Sequence, residues 1–322
     1  MTRYILKRIL IAIPLLLAMS LLTFILMQMT PGNFFDTLRL DPQISAETIE
    51  HYEELYQMNK PIMVQYLCWL KNMLKGQFGY SFFYNVPVTK LLSQRLGNTF
   101  ILSLASMLLT WLVAIPLGIW AAVNHNKFID KLLSLLSFMC LSMPSFFLAV
   151  LLLYIASKVG GLPLGGMHSA NYDQLSAFGR FIDLLKHLII PTIVISIASI
   201  ASLQRIMRGN FLGVLKQQYI LTARAKGLPE NKVLYHHALR NAINPLITLF
   251  GYELSGLLSG AALIEIICNW PGLGSLMLTA VRSKDVYLVM ASMLMGGVLL
   301  LMGNLISDIL LALSDPRIRY EK

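Results

Sequence analysis

The sequence predicts an all-α polytopic membrane protein with six transmembrane helices and a small helical insertion on the outer side between the first two. Three observations predict it. Only 13% of the 322 residues are charged and 56% are hydrophobic, against about 25% charged in ordinary soluble domains, which leaves too little polar surface to wrap a water-soluble core. The charges fall in clusters between long apolar runs. The Lys and Arg residues also concentrate in the connections that would share one face of a bilayer. The same composition excludes a disordered chain, a collagen-like fibre and, with three Cys, a disulfide-stapled secreted module. A net charge of +10 would suggest nucleic acid on a soluble protein; here it is read by side of the membrane, with lipid and not nucleic acid as the implied contact.

A helix needs about 20 residues to cross roughly 30 Å of hydrocarbon. Uncharged runs cover 9–35, 96–126, 132–157, 187–204 and 286–307, and a sixth, 241–264, is interrupted only by Glu253. Unpaired backbone is costly in lipid, so helices are the natural form, and no period-two alternation suggests a barrel. Pro14, Pro116, Pro144 and Pro191 fall within these runs and predict local breaks. With the amino terminus inside, the cytoplasmic side receives Arg3, Lys7, Arg8, Lys127, Lys131, the basic cluster from Arg205 to Arg240, and Arg317, Arg319 and Lys322. The two short outer loops hold five basic residues. Both termini are therefore expected to be cytoplasmic. The first run is not read as a signal peptide: it is about twice the usual apolar length and ends in Thr30-Pro31-Gly32-Asn33 instead of a small-residue cleavage site.

Residues 33–95 are too many for a bare connection and carry helical signals of their own. Ser45 can cap a helix running to Met58; Asn59 can cap another, with Pro61 in its first turn and Gly76 beyond its end. Ile62, Met63, Tyr66, Leu67, Leu70, Met73 and Leu74 share one face of that second helix. Such a face suits either packing on the membrane surface or bundle, or docking of an outer partner.

The basic segment between spans four and five is strongly structured. Residues 215–226 read as a helix, Gly227 sits where a left-handed stop belongs, Leu228 supplies the accompanying apolar contact and Pro229 prevents continuation. Residues 230–244 read as a second helix ending before Pro245, with Ala223 and Ala225 leaving room for close approach. Two short helices meeting at a glycine corner form a knob that can push or be pushed. A polybasic segment lying on anionic lipid is the plainer use of the same charges.

The stretch Tyr219-Ile220-Leu221-Thr222-Ala223-Arg224-Ala225-Lys226-Gly227-Leu228, followed by His237-Ala238-Leu239-Arg240-Asn241-Ala242, resembles the coupling loop of binding-protein-dependent ABC importers. It is most similar to the first permease subunit of dipeptide and oligopeptide systems, within the peptide/nickel permease family. The resemblance runs over nearly the whole chain, through Arg8-Ile9-Leu10, Thr30-Pro31-Gly32, Gly76-Gln77-Phe78-Gly79, Arg95-Leu96-Gly97-Asn98-Thr99, Trp270-Pro271-Gly272-Leu273-Gly274 and Asp315-Pro316-Arg317. The general motif opens with Glu-Ala-Ala where this chain has Leu221-Thr222-Ala223, and its later Leu-Pro is Leu239-Arg240 here; the peptide branch resembles this sequence at both places.

The resemblance implies a type I ABC importer permease fold in a bacterial inner membrane. Residues 1–32 would form the first helix, 33–95 the outer insertion and 96–322 the core permease with a coupling loop at 208–244. It implies a second, non-identical permease subunit, two cytoplasmic ATPase subunits carrying ATP and Mg, and an extracytoplasmic solute-binding protein delivering peptides or similar solutes. Thr222, Ala223, Arg224, Ala225, Lys226, Gly227, Leu228, Pro229, Glu230 and His237 would then contact or shape the ATPase joint. This chain lacks a Gly-x-x-x-x-Gly-Lys-Ser/Thr loop and binds no cofactor of its own on this reading. The alternative class, an ATP-independent secondary transporter or channel working as a homodimer, has no need of the knob, and no inverted repeat supplies its two halves.

Intramembrane carboxylates are costly and point to function. Glu253, Glu265 and Asp308 are candidates for the translocation path, Glu253 being deepest. Ser255, Gly256, Ser259 and Gly260 form overlapping small-x-x-x-small pairs suited to helix packing. No metal site is expected: His236 and His237 are adjacent and should point apart on a helix, and the other histidines are dispersed. Cys68 and Cys268 both fall on the outer side, where free thiols or a bridge between them fit the sequence.

Overall fold

The computed structural model describes residues 2–32, 34–39, 47, 49, 60–246, 249–250 and 262–314. The chain divides into two compact units, Met1–Thr99 with Gly272–Leu301 and Phe100–Pro271 with Met302–Lys322. Helix is the dominant form because apolar residues fill whole turns with almost no interrupting charge. The long helices are α1 (Thr2–Met29), α4 (Val88–Val123), α7 (Ala177–Leu215) and α13 (Val286–Ser314). Shorter ones are α2 (Phe34–Leu38), α3 (Ile62–Met73), α5 (Phe128–Ser142), α6 (Ser145–Val159), α8 (Gln218–Ala225), α9 (Glu230–Lys232), α10 (Leu239–Ala242), α11 (Ala262–Ile267) and α12 (Leu273–Arg282).

Among the described residues four helices are long and apolar enough to cross a membrane, or five if α5 and α6 count as one bent span. The expected sixth run, 241–264, falls largely outside them. The run 132–157 is not straight: α5 and α6 meet at 99°, with Met143 extended (φ −84°, ψ 125°) ahead of Pro144. A residue before proline is pushed out of the helical region, and the exposed 141–147 stretch has no packing to oppose it. Pro14, Pro116 and Pro191, by contrast, lie inside unbroken helices. Pro116 is flanked by buried Ala114 and Ile119, and Pro191 is itself buried between Ile190 and Thr192, so tertiary contacts hold those helices through the lost hydrogen bond.

In the first unit, Phe24 of α1 packs with Tyr66 and Trp69 of α3 and with Val286, Met290 and Leu294 of α13. Tyr66 Oη lies 2.9 Å from Ser20 Oγ. Part of the expected apolar face of α3 is packed inward, Tyr66 with Leu70 and Met73, joined by Trp69 from beside it. Tyr66 and Trp69 are covered, while Ile62, Met63, Leu67 and Leu74 are exposed, because α3 packs along the edge that carries its large aromatics. Pro61 is its N-cap, two residues beyond the expected Asn59, and Gly76 is left-handed (φ 78°) beyond its end. The helix expected over 45–58 lies outside the described residues but for Glu47 and Ile49. A two-residue antiparallel pair, β1 (Tyr80–Ser81) with β2 (Val86–Pro87), leads into α4.

Asp285 organises that hairpin. It precedes α13 and accepts Leu288 N–H at 3.2 Å as a helix cap, Ser81 Oγ at 2.6 Å and Phe83 N–H at 3.2 Å. Burial pushes its carboxyl above the usual carboxylate range, and the donors from Ser81, Phe83 and Leu288 work the other way.

In the second unit α4, α5 and α7 pack side by side. Gly118 lets α4 approach α7: a Cβ there would sit 2.7 Å from Met207 Cβ and 2.8 Å from the Gln204 carbonyl. Ser137 Oγ of α5 donates to Gln204 Oε1 of α7 at 2.9 Å. α6 packs against α7 and α11 through Leu148, Ala149, Ala156, Ile190, Val194 and Ile264.

Candidate functional site

α7 is 39 residues long and continues well past its uncharged core. Its far end carries Arg205 and Arg208 and then turns into the corner expected to transmit force. α8 ends as its sequence dictates. Gly227 is left-handed (φ 73°), its N–H bonds Arg224 O at 2.9 Å and Leu228 N–H bonds Ala223 O at 3.4 Å, which satisfies carbonyls the helix end would orphan. Pro229 (φ −60°, ψ 140°) then caps α9. Across the corner Arg224 grips Glu230 at two points, Nη2 to Oε1 at 2.5 Å and Nε to Oε2 at 3.2 Å. Both side chains are exposed, so the pair adds little stability, under about 1 kcal/mol; it links α8 to α9 across the turn.

The inner side of the corner is a packed core. Ile220 and Ala223 of α8, with Val233, Leu234, Ala238, Ala242 and Leu246 beyond, close on Leu203, Met207 and Phe211 of α7 and on Ala114, Ile119 and Ala122 of α4; Leu228 is half-buried against the same cluster. The outer side presents Tyr219, Leu221 and Tyr235 as exposed apolar groups among exposed Thr222, Ala225, Lys226 and Lys232. The knob thus has a base packed on two long helices and an exposed, partly apolar outer face. The second helix is not the regular one expected over 230–244. Residues 233–238 form a π stretch between α9 and α10, and in it the rings of His236 and His237 meet edge to face at 5.2 Å instead of pointing apart. His237 is half-buried, and its carbonyl accepts from Asn241 Nδ2 at 2.9 Å.

A second arrangement stiffens the same end of α7. Asp130, almost fully buried at the start of α5, accepts Arg208 Nε at 2.5 Å and Nη2 at 2.7 Å, together with Asn126 N–H at 2.9 Å. His125 Nδ1 lies 3.3 Å from Asp130 Oδ2. Sequence reasoning missed this clamp; Asp130, the lone acid between Lys127 and Lys131, was its signal. Asp285 was missed too, although an Asp directly before the apolar run at 286 is an N-cap signature.

Glu265 is buried on α11 and Asp308 half-buried on α13. Glu253 and the packing candidates Ser255, Gly256, Ser259 and Gly260 lie outside the described residues. Cys68, Cys140 and Cys268 are free thiols, and burial raises that of Cys268 to about 11. Among the described residues no three His, Cys, Asp or Glu side chains gather into a metal site.

Membrane-length helices joined to a packed basic corner are the features of a membrane-embedded transport subunit. The chain belongs to the family described as Binding-protein-dependent transport system inner membrane component, which matches residues 114–320, with the corresponding N-terminal family matching residues 1–105. It is thus a multi-pass inner-membrane transport subunit without catalytic activity. It is 41% identical over 322 residues to the oligopeptide transport system permease protein AppB of Bacillus subtilis, covering 99% of this chain and 100% of that protein. It is 35% identical over 321 residues to the dipeptide transport system permease protein DppB of Lactococcus lactis, again covering 99% and 100%. Among solved structures, the inward-facing MetNI methionine ABC transporter superposes with a TM-score of 0.51 at 15% identity, over 68% of this chain and 96% of that chain. That likeness shows the shared permease fold.

Proposed function

We propose that this chain forms half of the path by which an ATP-driven importer carries di- or oligopeptides across the inner membrane, coupled to its ATPases through residues 215–244. The observation that carries the proposal is the glycine corner itself. Its packed base on α4 and α7 turns a push on Tyr219, Leu221 and Tyr235 into tilting of spans, the rigid-body motion that alternating access requires. The peptide cargo is supported by the relatives named for oligopeptide and dipeptide transport. The partners on this reading are a second permease subunit, two ATPases holding ATP and Mg, and an outer binding protein; this chain holds no cofactor.

The reading includes six spans, the sixth over 241–264, an outer insertion at 33–95, and both termini in the cytoplasm. The basic cluster at the end of α7 supports that orientation. Glu253, Glu265 and Asp308 remain the path candidates, and Ser255, Gly256, Ser259 and Gly260 the packing surface of span five. Reconstitution in vesicles tests the proposal. Uptake of a labelled peptide is expected only when the ATPases, second permease and ATP are all present; uptake at full rate by this chain alone would replace the proposal with a self-sufficient homodimeric transporter.

A further inference from the structure

The groove between α5 and α7 holds a cavity of about 520 Å³ lined by Ser134 and Phe138 of α5 and Ser202, Arg205, Ile206 and Arg208 of α7. No carboxylate lines it. Arg208 is neutralised by Asp130, whereas Arg205 has no acidic partner among the described residues and lies over the Phe138 ring with 4.7 Å to the ring centroid. A guanidinium placed over an aromatic ring keeps its N–H donors available for hydrogen bonds, the chemistry suited to oxygens of a phosphodiester. Two serine hydroxyls add further donors.

Depth selects the source of that phosphate. Arg205 immediately follows the uncharged run 187–204, which puts it at the boundary where headgroups begin, while Ser202 lies about one turn deeper. On the α5 side of the cavity Leu132, Leu135, Leu136 and Met139 are all exposed, an apolar strip suited to an acyl chain. We infer that this cavity is a binding site for one anionic phospholipid, with the phosphate on Arg205 and an acyl chain along α5. The inference stands whatever the cargo is.

Native mass spectrometry of the complete transporter, exchanged into nanodiscs of phosphatidylglycerol or phosphatidylcholine, tests this. The wild type should retain phosphatidylglycerol in preference to phosphatidylcholine, and Arg205→Gln should lower that retention about fivefold, the effect of one basic contact near a bilayer. Lys127→Gln, which removes a nearby charge outside the cavity, should leave retention unchanged. Ser202→Phe, which fills the cavity and keeps both arginines, should expel the lipid, so the inference does not depend on one charge variant folding. Equal retention by wild type and Arg205→Gln would overturn it. So would an equal loss in Lys127→Gln, which would mean diffuse attraction, or displacement of the lipid by millimolar inorganic phosphate, which would mean a soluble ligand. Unchanged peptide uptake in Arg205→Gln leaves the importer reading intact, so the two conclusions fail separately.

Discussion

Replacing Gly227 isolates the backbone of the corner from everything around it. Its φ is 73°, and a Cβ built there meets nothing within 4 Å, so a side chain costs no steric contact inside the chain. What remains is the left-handed conformation, about 1–2 kcal/mol for an ordinary L-residue, with valine at the upper end and asparagine, which tolerates that region, near the bottom. One to two kcal/mol lowers the population of the closed corner about five- to thirty-fold relative to a frayed one. The rest of the unit is held by the cluster under Ile220 and Phe211 and should stay folded. In reconstituted transporter, Gly227→Val should therefore lose most peptide uptake per ATP hydrolysed, Gly227→Ala should fall between, and Gly227→Asn should approach wild type, with thermal unfolding midpoints nearly equal. If Gly227→Asn is as damaging as Gly227→Val, side-chain bulk against the ATPase and not backbone conformation sets the effect, and the reasoning is refuted. Wild-type coupling in Gly227→Val would refute it as well.

Two further predictions concern buried carboxylates. Arg208→Ala strands Asp130, whose side chain is 4% exposed, and should cost about 3–5 kcal/mol, whereas Asp130→Ala leaves Arg208, 26% exposed, able to reach water and should cost less; equal losses of thermal stability would contradict this asymmetry. For Asp285, the raised native pKa means that folding favours the protonated carboxyl. That contribution is fully present below the unfolded value of about 3.9 and is lost as pH rises through the native one. Asp285→Asn stays uncharged throughout, so the unfolding midpoint of wild type relative to this variant should fall as pH rises from about 4; a gap moving in favour of wild type would show that the three hydrogen bonds outweigh burial. Ser81→Ala, which removes a donor to the carboxylate, should shift the transition to higher pH.

Much of the candidate site was legible because its determinants are local. Gly227, Leu228 and Pro229 specify a left-handed stop and a restart within three residues, whatever surrounds them, and α8 ends there. The π stretch at 233–238 was not legible, since Val233, Leu234 and Ala238 are drawn onto α7 and α4 by packing that no helical period encodes. Glu230 has a use that the coupling motif alone does not suggest, gripping Arg224 across the turn.

By itself the sequence determined the class of protein. Charge-free runs of membrane length, their flanking arginines and lysines, and the glycine corner are matters of composition and short-range chemistry, so one dimension suffices to read them. Only the tertiary structure decided that Pro144 bends its helix by 99° while Pro116 and Pro191 do not, that α3 buries Tyr66 and Trp69 and exposes Ile62 and Met63, and that Asp130 meets Arg208 across 78 residues. Each of those outcomes is settled by which neighbour is present to oppose a kink, cover a face or neutralise a charge, and neighbours distant in sequence leave no periodic mark along the chain.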